Sequence, residues 1–395
     1  MKDNIIITSE SLEFIKNRFS EYAKTIEKYN TIDKEEIRNA SSISNVLDKF
    51  PEVTKEELTD GGEDYFEFNN TQSALLSETS GTTGKPLYTP RSLEELKWNS
   101  LNIRTAFQSF INSGNSKVIL LNPGVLSPFM EACSRALEYS SISYGRCFPI
   151  ENICSYERIV QIINRYGITE IMTTPTLALK FLFEVKKKGL KLDENINLLL
   201  TGECLSDGMI NNFNTILGRK GAYRFLYGSS ECATVMIGNK KNQFEMLSKD
   251  FIFEFKQDLT GTNKSIYKLT LSWLRNGIRP LIRYNTNDLF LKIDNDFVPI
   301  GRGGVDSNII VQNYLFDDEL FNIPVIIFDY ILNFKTKEMN LVVIEDEDED
   351  YINSLIKPII KKFYKISDIE ININSSENEF LKFSPRVKSK RFVYD

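Results

Sequence analysis

A loop rich in glycine and hydroxyl side chains occupies residues 79–86, with the sequence TSGTTGKP. Glycines let a backbone approach an anion closely and adopt positive φ, and consecutive amides can form a concave nest that holds an anion. Hydroxyl side chains add donors, and Lys85 adds a positive charge. The residue types therefore predict an anion site, and phosphate is the anion that this donor set suits.

The loop does not fit the Walker A pattern G-x-x-x-x-G-K-[ST]. Thr79 stands where the first glycine should be, five positions before Gly84, and Lys85 is followed by Pro86, which has no hydroxyl to offer magnesium. An ordinary surface turn is the alternative interpretation of such a segment. The loop alone indicates anion binding, and it argues against a P-loop nucleotidase.

Composition excludes several further classes. The chain of 395 residues has no histidine, so a Ser-His-Asp triad, a Cys-His pair and His-ligated zinc are impossible. Five cysteines without a CxxC spacing favour a reduced, cytoplasmic protein. The net charge of −6 argues against nucleic-acid binding. Apolar runs are too short for a membrane span or a signal peptide, so we expect no membrane association.

Downstream of this loop, segments with the hydrophobic pattern of strands alternate with segments that have the pattern of helices, and these elements must position the loop. KVILLNPG (117–124) is typical of a buried strand, and YERIVQIINRYG (156–167) of an amphipathic helix ended by glycine. ITEIMTTP (168–175) and INLLLTGE (196–203) are typical of further strands. This order predicts an α/β fold with mostly parallel sheets, in which sites lie beyond the carboxyl ends of the strands.

The pattern changes near residue 300, which predicts two domains. Residues 1–300 should form a large N-terminal α/β domain, with a mainly helical lead-in over 1–70. Residues 301–395 should form a small, mobile C-terminal α+β lid domain. Within it, NIIVQNY (308–314) is predicted as a strand and DYINSLIKPIIKKFY (350–364) as a helix.

Several ordered segments resemble the signature motifs of the adenylate-forming superfamily, which includes acyl-CoA ligases, peptide-synthetase adenylation domains and luciferases. They are TSGTTGKP (79–86), LLTGECLS (199–206), FLYGSSECA (225–233), RPLIRYNTNDLF (279–290), GRGGVDSNII (301–310) and SPRVKSKRFVYD (384–395). The resemblance implies the adenylate-forming enzyme fold, in which the lid closes over the larger domain.

Within that superfamily the chain most resembles the phenylacetate–CoA ligase group. FPEVTKEELTD (50–60) resembles a segment that precedes the sheet in that group, and PLIRY precedes the aspartate of the fourth motif. The resemblance implies an AMP-forming acid–thiol ligase. Such an enzyme activates a small aryl or acyl carboxylic acid with ATP, forms an acyl-adenylate and pyrophosphate, and transfers the acyl group to coenzyme A.

The resemblance also assigns a nucleotide site. The residues that would contact ATP or AMP are Thr79, Ser80, Gly81, Thr82, Thr83, Gly84, Lys85, Gly202, Glu203, Tyr227, Gly228, Ser229, Ser230, Asp288 and Arg302. The loop would hold the β- and γ-phosphates, Tyr227 would stack on adenine, and Asp288 would accept both ribose hydroxyls. Arg302 would approach the ribose or a phosphate from the domain boundary.

The implied chemistry rests on few side chains. Glu231 would act in catalysis by binding Mg²⁺, and the Lys388 ammonium would lie between the carboxylate and the α-phosphate. Lys390 is the competing candidate for that lysine. The acid pocket is predicted to include Ala233, Thr234 and Val235, together with residues near 124–150.

The chain departs from the family pattern at three places. Asn287 replaces a usual glycine, and asparagine is a tolerated residue at positive φ. Gly304 stands where the family has its hinge aspartate, and Asp306 is the alternative pivot. A cysteine pair of the phenylacetate group is missing, so no structural zinc is expected.

The sequence leaves the acid, the acceptor and the oligomeric state open. A carrier-protein phosphopantetheine could replace coenzyme A, and the chain could be a monomer or a homodimer. A degenerate nucleotide-binding protein without turnover is the alternative from another class.

Overall fold

A computed structural model describes residues 4–67, 73–79, 85–111, 115–121, 128–147, 149, 154–258, 265–304, 306–344, 348–374 and 391–394. In these ranges the α-helices are α1 (Leu12–Thr25), α2 (Lys34–Arg38), α3 (Ile43–Leu47), α4 (Lys55–Gly61), α5 (Leu93–Phe110), α6 (Pro128–Tyr139), α7 (Tyr156–Tyr166), α8 (Pro175–Lys187), α9 (Asp207–Leu217), α10 (Ser307–Leu320) and α11 (Glu349–Tyr364). The strands are β1 (Asn4–Ile7), β2 (Lys117–Leu121), β3 (Ser143–Cys147), β4 (Glu170–Thr173), β5 (Asn197–Thr201), β6 (Ala222–Ser229), β7 (Ala233–Gly238), β8 (Phe244–Met246), β9 (Phe251–Gln257), β10 (Ile266–Trp273), β11 (Tyr284–Ile293), β12 (Asp296–Arg302), β13 (Asp329–Asn333), β14 (Glu338–Val342), β15 (Glu370–Asn374) and β16 (Phe392–Val393).

The first sheet has the strand order β3-β2-β4-β5-β6-β7-β8. Its strands from β3 to β6 are parallel, and β7 and β8 are antiparallel. Both faces are covered, since alternate residues of β2 enter different cores. Val118 and Leu120 pack with α5 and α6, whereas Ile119 and Leu121 pack with α7, α8 and α9. Burial on both faces explains the continuous apolar runs of these strands.

The second sheet is antiparallel, in the order β1-β9-β10-β11-β12. Its buried face carries aromatic side chains, among them Phe253 and Trp273, and packs with the helices α1 to α4 of the lead-in. A hydrogen bond from the Phe14 amide to Ser11 caps the start of α1. The first and second sheets together present the ends of β6 and β11 to each other.

The third sheet is built from residues 329–393, in the order β15-β14-β13-β16. The β13–β14 pair is antiparallel, and β15 and β16 join it in parallel. Its core shares one cluster with α8 and α9, where Phe183 and Phe328 meet edge to face at 5.3 Å.

The predicted α/β fold with mostly parallel sheets is confirmed, as are the strands within 117–124, 168–175 and 196–203. The predicted strand at 308–314 is wrong, because α10 occupies this segment. Asp306 caps that helix by accepting a hydrogen bond from the Asn308 amide at 2.9 Å. A local cap and burial of one helical face outweighed the strand preference of its β-branched residues.

Across the described ranges, none of the helices combines the length and the apolar character needed to cross a membrane.

Candidate functional site

The segments on either side of the predicted anion loop pair as an antiparallel ribbon. Isolated bridges join Leu75 to Arg91 and Glu78 to Tyr88. The buried Thr79 hydroxyl accepts a hydrogen bond from the Leu87 amide at 2.9 Å. The ribbon presents Lys85 to solvent at the start of its return segment. The residues of the tip, Ser80, Gly81, Thr82, Thr83 and Gly84, lie outside the described residues.

Arg91, at the base of this ribbon, is a buried residue that sequence reasoning missed. Its Nη1 donates to Glu95 Oε1 at 3.0 Å, and its Nη2 donates to the backbone oxygen of Glu231, also at 3.0 Å. Nη2 also donates to the backbone oxygen of Ser230, and the guanidinium lies over the Trp273 ring. Arg91 therefore joins the ribbon to α5 and to the turn that carries Glu231. An arginine four residues before the capping-box glutamate of α5 was the available signal.

Asp288 is at the centre of a cluster formed by three strands. The Tyr227 hydroxyl, from β6, donates to Asp288 Oδ2 at 2.7 Å. Arg302 Nε, from β12, donates to Asp288 Oδ1 at 3.1 Å. Burial raises the pKa of the Asp288 carboxyl above its usual value, and the charge of Arg302 opposes that shift. Both carboxylate oxygens are held in place by protein donors.

Asn287, next to Asp288, adopts the predicted positive φ, with a value of +57°. Its backbone oxygen accepts a hydrogen bond from the Gly303 amide at 2.6 Å. A Cβ atom at Gly303 would lie 2.3 Å from Asn287 Oδ1. The left-handed turn and the close glycine together aim Asp288 and Arg302 at each other, and asparagine is a residue that tolerates such a turn.

Glu231 lies buried in the turn between β6 and β7. Its Oε1 accepts a hydrogen bond from the Tyr284 hydroxyl at 3.0 Å. Arg279 is buried nearby, and burial and the charge of Arg91 lower its pKa to about 10. That guanidinium is still charged near neutral pH, so it places one positive charge near Glu231.

These side chains line one narrow pocket, which in this arrangement is too tight to admit a water molecule. It is lined by Tyr227, Gly228, Ser229, Glu231, Cys232, Val235, Tyr284, Thr286, Asp288 and Arg302. Burial, then the charge of Glu231, raises the pKa of the Cys232 thiol. Cys232 is therefore a protonated, packed side chain at neutral pH and not a nucleophile.

Gly202 and Glu203 follow β5, beside β6, but they are not among the lining residues of this pocket. Gly202 has a φ of +86°. Glu203 Oε2 accepts hydrogen bonds from the Thr176 hydroxyl at 2.6 Å and from the Thr176 amide at 3.2 Å. The carboxylate of Glu203 thus serves the first turn of α8 instead of the Asp288 cluster.

The three residues predicted for the acid pocket do not line one common cavity. Ala233, with a φ of +66°, lines a small second cavity together with Ser229. Val235 lines the pocket of Asp288, and the Thr234 amide donates to Asn99 Oδ1 at 3.0 Å. Other lining residues of the second cavity come from α5, α6 and the segment just before α5: Arg91, Glu95, Leu96, Trp98, Asn99, Pro128 and Phe129. Pro128 and Phe129 fall within the range 124–150 that the sequence indicates for the acid pocket, whereas sequence reasoning missed the other five. Ser229 borders both cavities, so the turn before Glu231 separates them.

The competing lysines Lys388 and Lys390 lie outside the described residues. Arg391, just beyond them, has a side chain that is 11% exposed, and its Nη1 donates to Asp317 Oδ2 at 3.0 Å. At the other end of this part of the chain, Gly304 has a φ of +106°, while Asp306 is used as the cap of α10.

Comparisons with known proteins identify the fold of the chain through solved structures. Neither the protein-family models nor the curated proteins match the chain. A 2-hydroxyisobutyryl-CoA ligase in the postadenylation state, solved with 2-HIB-AMP, matches at a TM-score of 0.75 and 12% identity over 98% of this chain and 91% of that chain. The same ligase in the thioesterification state, with 2-HIB-AMP and CoA, matches at 0.63 and 13% over the same shares.

An anthranilate CoA ligase in complex with anthranoyl-AMP matches more weakly, with a TM-score of 0.51 and 12% identity over 78% of this chain and 65% of that chain. The chain therefore has the fold of the adenylate-forming enzymes, and the fold implied by the sequence motifs is confirmed. The placement in the phenylacetate group stays a prediction.

Proposed function

We propose that this chain uses ATP to activate a small aryl or acyl carboxylic acid as an acyl-adenylate, and then transfers the acyl group to the thiol of coenzyme A. The observation that carries the proposal is the Tyr227–Asp288–Arg302 cluster, which shares a pocket with Glu231. Two ligases with this fold were solved with acyl-adenylates bound. The sequence motifs resemble those of the phenylacetate–CoA ligase group.

The residues present fit a nucleotide. Asp288 offers two carboxylate oxygens, which suit the vicinal hydroxyls of a ribose. Tyr227 and Arg302 hold this carboxylate, and on ribose binding they would share it with the two hydroxyls. Because burial raises the pKa of Asp288, the charge of Arg302 helps to keep the carboxylate ionised and able to accept hydrogen bonds.

The donor set around Glu231 also fits Mg²⁺ bound through phosphates. Among the described residues, no group of three or more acidic or cysteine side chains could hold a metal alone. Mg²⁺ is often held by one or two carboxylates together with substrate phosphates, and Glu231 would supply one carboxylate. When bound, Mg²⁺ would neutralise charge on the phosphate oxygens.

The proposed activation step needs positioning and charge stabilisation. An oxygen of the acid attacks the α-phosphorus while the bond to pyrophosphate breaks, so negative charge spreads over the phosphoryl oxygens. Lys85 and the other residues of the 79–85 loop would hold the pyrophosphate side, and the Lys388 ammonium would stabilise the charge at the α-phosphate. We expect Lys388→Ala to slow acid activation far more than Lys390→Ala, measured as kcat, with ATP binding retained.

We further propose that residues 301–395 act as a lid on residues 1–300, with Gly304 as the pivot. The φ of +106° at Gly304 favours glycine, and a Cβ there would meet nothing within 4 Å. Asp306 is fixed as the cap of α10, which makes it the weaker candidate for a pivot.

Acid-dependent exchange of labelled pyrophosphate into ATP, run with a panel of acids, tests the proposal. Asp288→Asn should reduce exchange by about a hundredfold and raise the KM for ATP, because a charge-assisted acceptor is lost. Asp294→Asn is the matched control, since Asp294 is exposed and follows the same strand. No exchange with any acid by folded wild-type protein would overturn the proposal. A coenzyme A requirement in the second step separates it from carrier-protein loading.

A further inference from the structure

The second cavity lies across the turn before Glu231 from the pocket of Asp288, and Ala233 and Ser229 border it on that side. In this arrangement it has room for about one water molecule. Because Ser229 borders both cavities, an acid bound in the second one would present its carboxylate on the Ser229 side, towards the proposed nucleotide site. The organic part of the acid would then lie towards α5.

Apolar side chains make up most of the wall of this cavity. Leu96 and Trp98 of α5 line it, and so does Phe129 of α6. Trp98 is held in place, because its Nε1 donates to the Asn276 oxygen at 3.3 Å and its ring meets the Trp273 ring edge to face at 5.4 Å. A wall that is fixed in this way limits the acid to a small organic group.

The two charged residues of the wall neutralise each other. Glu95 Oε1 accepts a hydrogen bond from Arg91 Nη1 at 3.0 Å. Glu95 Oε2 accepts from the Ser92 amide at 2.7 Å and from the Ile278 amide at 3.1 Å. Both carboxylate oxygens are therefore engaged, and Glu95 is only 1% exposed. This carboxylate is a poor partner for the ammonium group of an amino acid, which would lose its hydration on entering the cavity.

Asn99, one helical turn after Glu95, supplies a further polar group. Its Oδ1 accepts a hydrogen bond from the Thr234 amide at 3.0 Å. That bond fixes which way the side-chain amide is turned, because only its oxygen can accept. Nδ2 donates to none of the described residues, although Asn99 is 8% exposed and lines the cavity. A ligand in the cavity therefore meets an amide donor that still needs an acceptor.

We propose that Asn99 determines which acid is activated, and that the substrate is a small acid whose organic part is uncharged and carries an oxygen that accepts from Asn99 Nδ2. An oxo or hydroxyl oxygen fits this description. The inference rests on the proposed function. A hydrocarbon acid of the same size would leave the Asn99 donor unpaired, and an amino acid would bring an ammonium group that finds no free carboxylate.

Pyrophosphate exchange with matched acids tests this selection. One set contains propanoate, pyruvate, the hydroxypropanoates and alanine, and another contains benzoate and the hydroxybenzoates. For wild type we expect kcat/KM to be about tenfold or more higher for the best oxygen-bearing acid of a set than for its hydrocarbon analogue, with alanine not activated. An activated acid outside these sets is compared with its own analogue in the same way. Equal or higher values for the hydrocarbon, or a preference for alanine, would overturn the inference.

Two variants assign the selection to Asn99. Asn99→Leu removes the donor at similar volume, and we expect it to bring the oxygen-bearing acid and its hydrocarbon analogue within about twofold of each other. Asn99→Asp keeps an oxygen for the Thr234 amide and places a carboxylate in the cavity, so kcat/KM for alanine should rise relative to propanoate. Gln108→Glu makes the same change of amide to carboxylate at an exposed position of α5 and should match wild type.

A merely structural role of Asn99 would lower activation of all acids by the same factor in both variants, and that result would overturn the inference. If folded wild type activates no acid, the proposed function fails, and calorimetric titration with the same acids decides the inference alone. Tighter binding of oxygen-bearing acids by wild type than by Asn99→Leu would then support it. Equal binding, or none, would overturn it.

Discussion

At the scale of single residues, the candidate site depends on how Asp288 is held. Its two oxygens accept from Tyr227 and Arg302, and β11 and β12 place Asp288 directly opposite Arg302. A carboxylate fixed on both sides is pre-organised for a ligand that carries two hydroxyls. Asn287 and Gly303 set the backbone that makes this possible, so the site depends on local backbone geometry as well as on its charged side chains.

Removing the Tyr227 hydroxyl tests this support. Tyr227→Phe deletes a hydrogen bond to a charged acceptor, which typically contributes about 1.5–3 kcal/mol. We expect the KM for ATP in pyrophosphate exchange to rise about tenfold or more, with a smaller change in kcat. Tyr223→Phe, on the same strand, is the control and should leave both constants unchanged. Equal KM values for the two variants would contradict the role of Tyr227.

A second residue-scale prediction concerns Glu67, which lies outside the pocket. Burial, followed by the charge of Glu21, raises the pKa of the Glu67 carboxyl to about 7, while Arg18 and a backbone hydrogen bond oppose the shift. A carboxyl with a raised pKa stabilises the fold fully below its unfolded value of 4.5, and this contribution is lost as the pH rises through about 7.

Glu67→Gln should therefore gain stability relative to wild type between pH 5 and pH 8, by about 3 kcal/mol at most. Denaturant unfolding at several pH values measures the difference. Glu63→Gln, at an exposed neighbour, should show no such pH dependence. A constant difference between Glu67→Gln and wild type across this range would show that Glu67 ionises normally.

At the scale of elements, periodicity and turn residues predicted the parallel strands and the helix between two of them. Strands such as β4 and β5 are buried on both faces, so their apolar runs are visible in the sequence. The strand prediction for 308–314 was wrong, because Ile309, Ile310 and Val311 favour a strand while the cap at Asp306 starts a helix. The helix cap and the packing of the folded chain outweighed the strand preference of these β-branched residues.

In the candidate site, too, some residues could be predicted from the sequence and others could not. Motifs identified Tyr227, Glu231 and Asp288, because their order along the chain resembles a known family. Arg91 and Asn99 escaped notice, since their roles depend on contacts with residues more than a hundred positions away. Glu203 is predicted to contact the nucleotide, whereas in the structure its carboxylate bonds to Thr176. Spacing along a sequence does not show which way a side chain turns.

The element-scale prediction concerns the buried pair of Arg91 and Glu95, which joins the ribbon to α5. Arg91→Met leaves Glu95 buried without its cation, which typically costs about 3–5 kcal/mol of unfolding free energy. Arg38→Met breaks an exposed pair with Glu35 and should cost less than about 1 kcal/mol. Denaturant unfolding measures both. Similar small losses would show that Arg91 is not needed to hold the ribbon to α5.

At the scale of the whole molecule, two kinds of contact hold the last part of the chain to the parallel sheet. Gly208, Asn211 and Asn212 of α9 make hydrogen bonds to Asp318, Asn322 and Ile327. A Cβ atom at Gly208 would lie 1.9 Å from the backbone oxygen of Asp318. Within the apolar cluster that α8 and α9 share with this part of the chain, the rings of Phe183 and Phe328 meet edge to face. If both contacts hold the last part of the chain as one rigid unit, breaking one of them should reduce the stabilising free energy that the other contributes. The two energies should then be coupled, even though Gly208 lies on α9 and Phe328 packs against Phe183 of α8.

A double-mutant cycle tests this coupling. Gly208→Ala and Phe328→Ala should each lower the unfolding free energy, the latter by about 3–5 kcal/mol as for other buried phenylalanines. The double variant should lose less than the sum of the two, by about 0.5–3 kcal/mol. Phe14→Ala, at a more exposed phenylalanine of α1, should add to Gly208→Ala without coupling. Additive losses for Gly208→Ala and Phe328→Ala would mean that the polar contacts of α9 and the aromatic contact act independently.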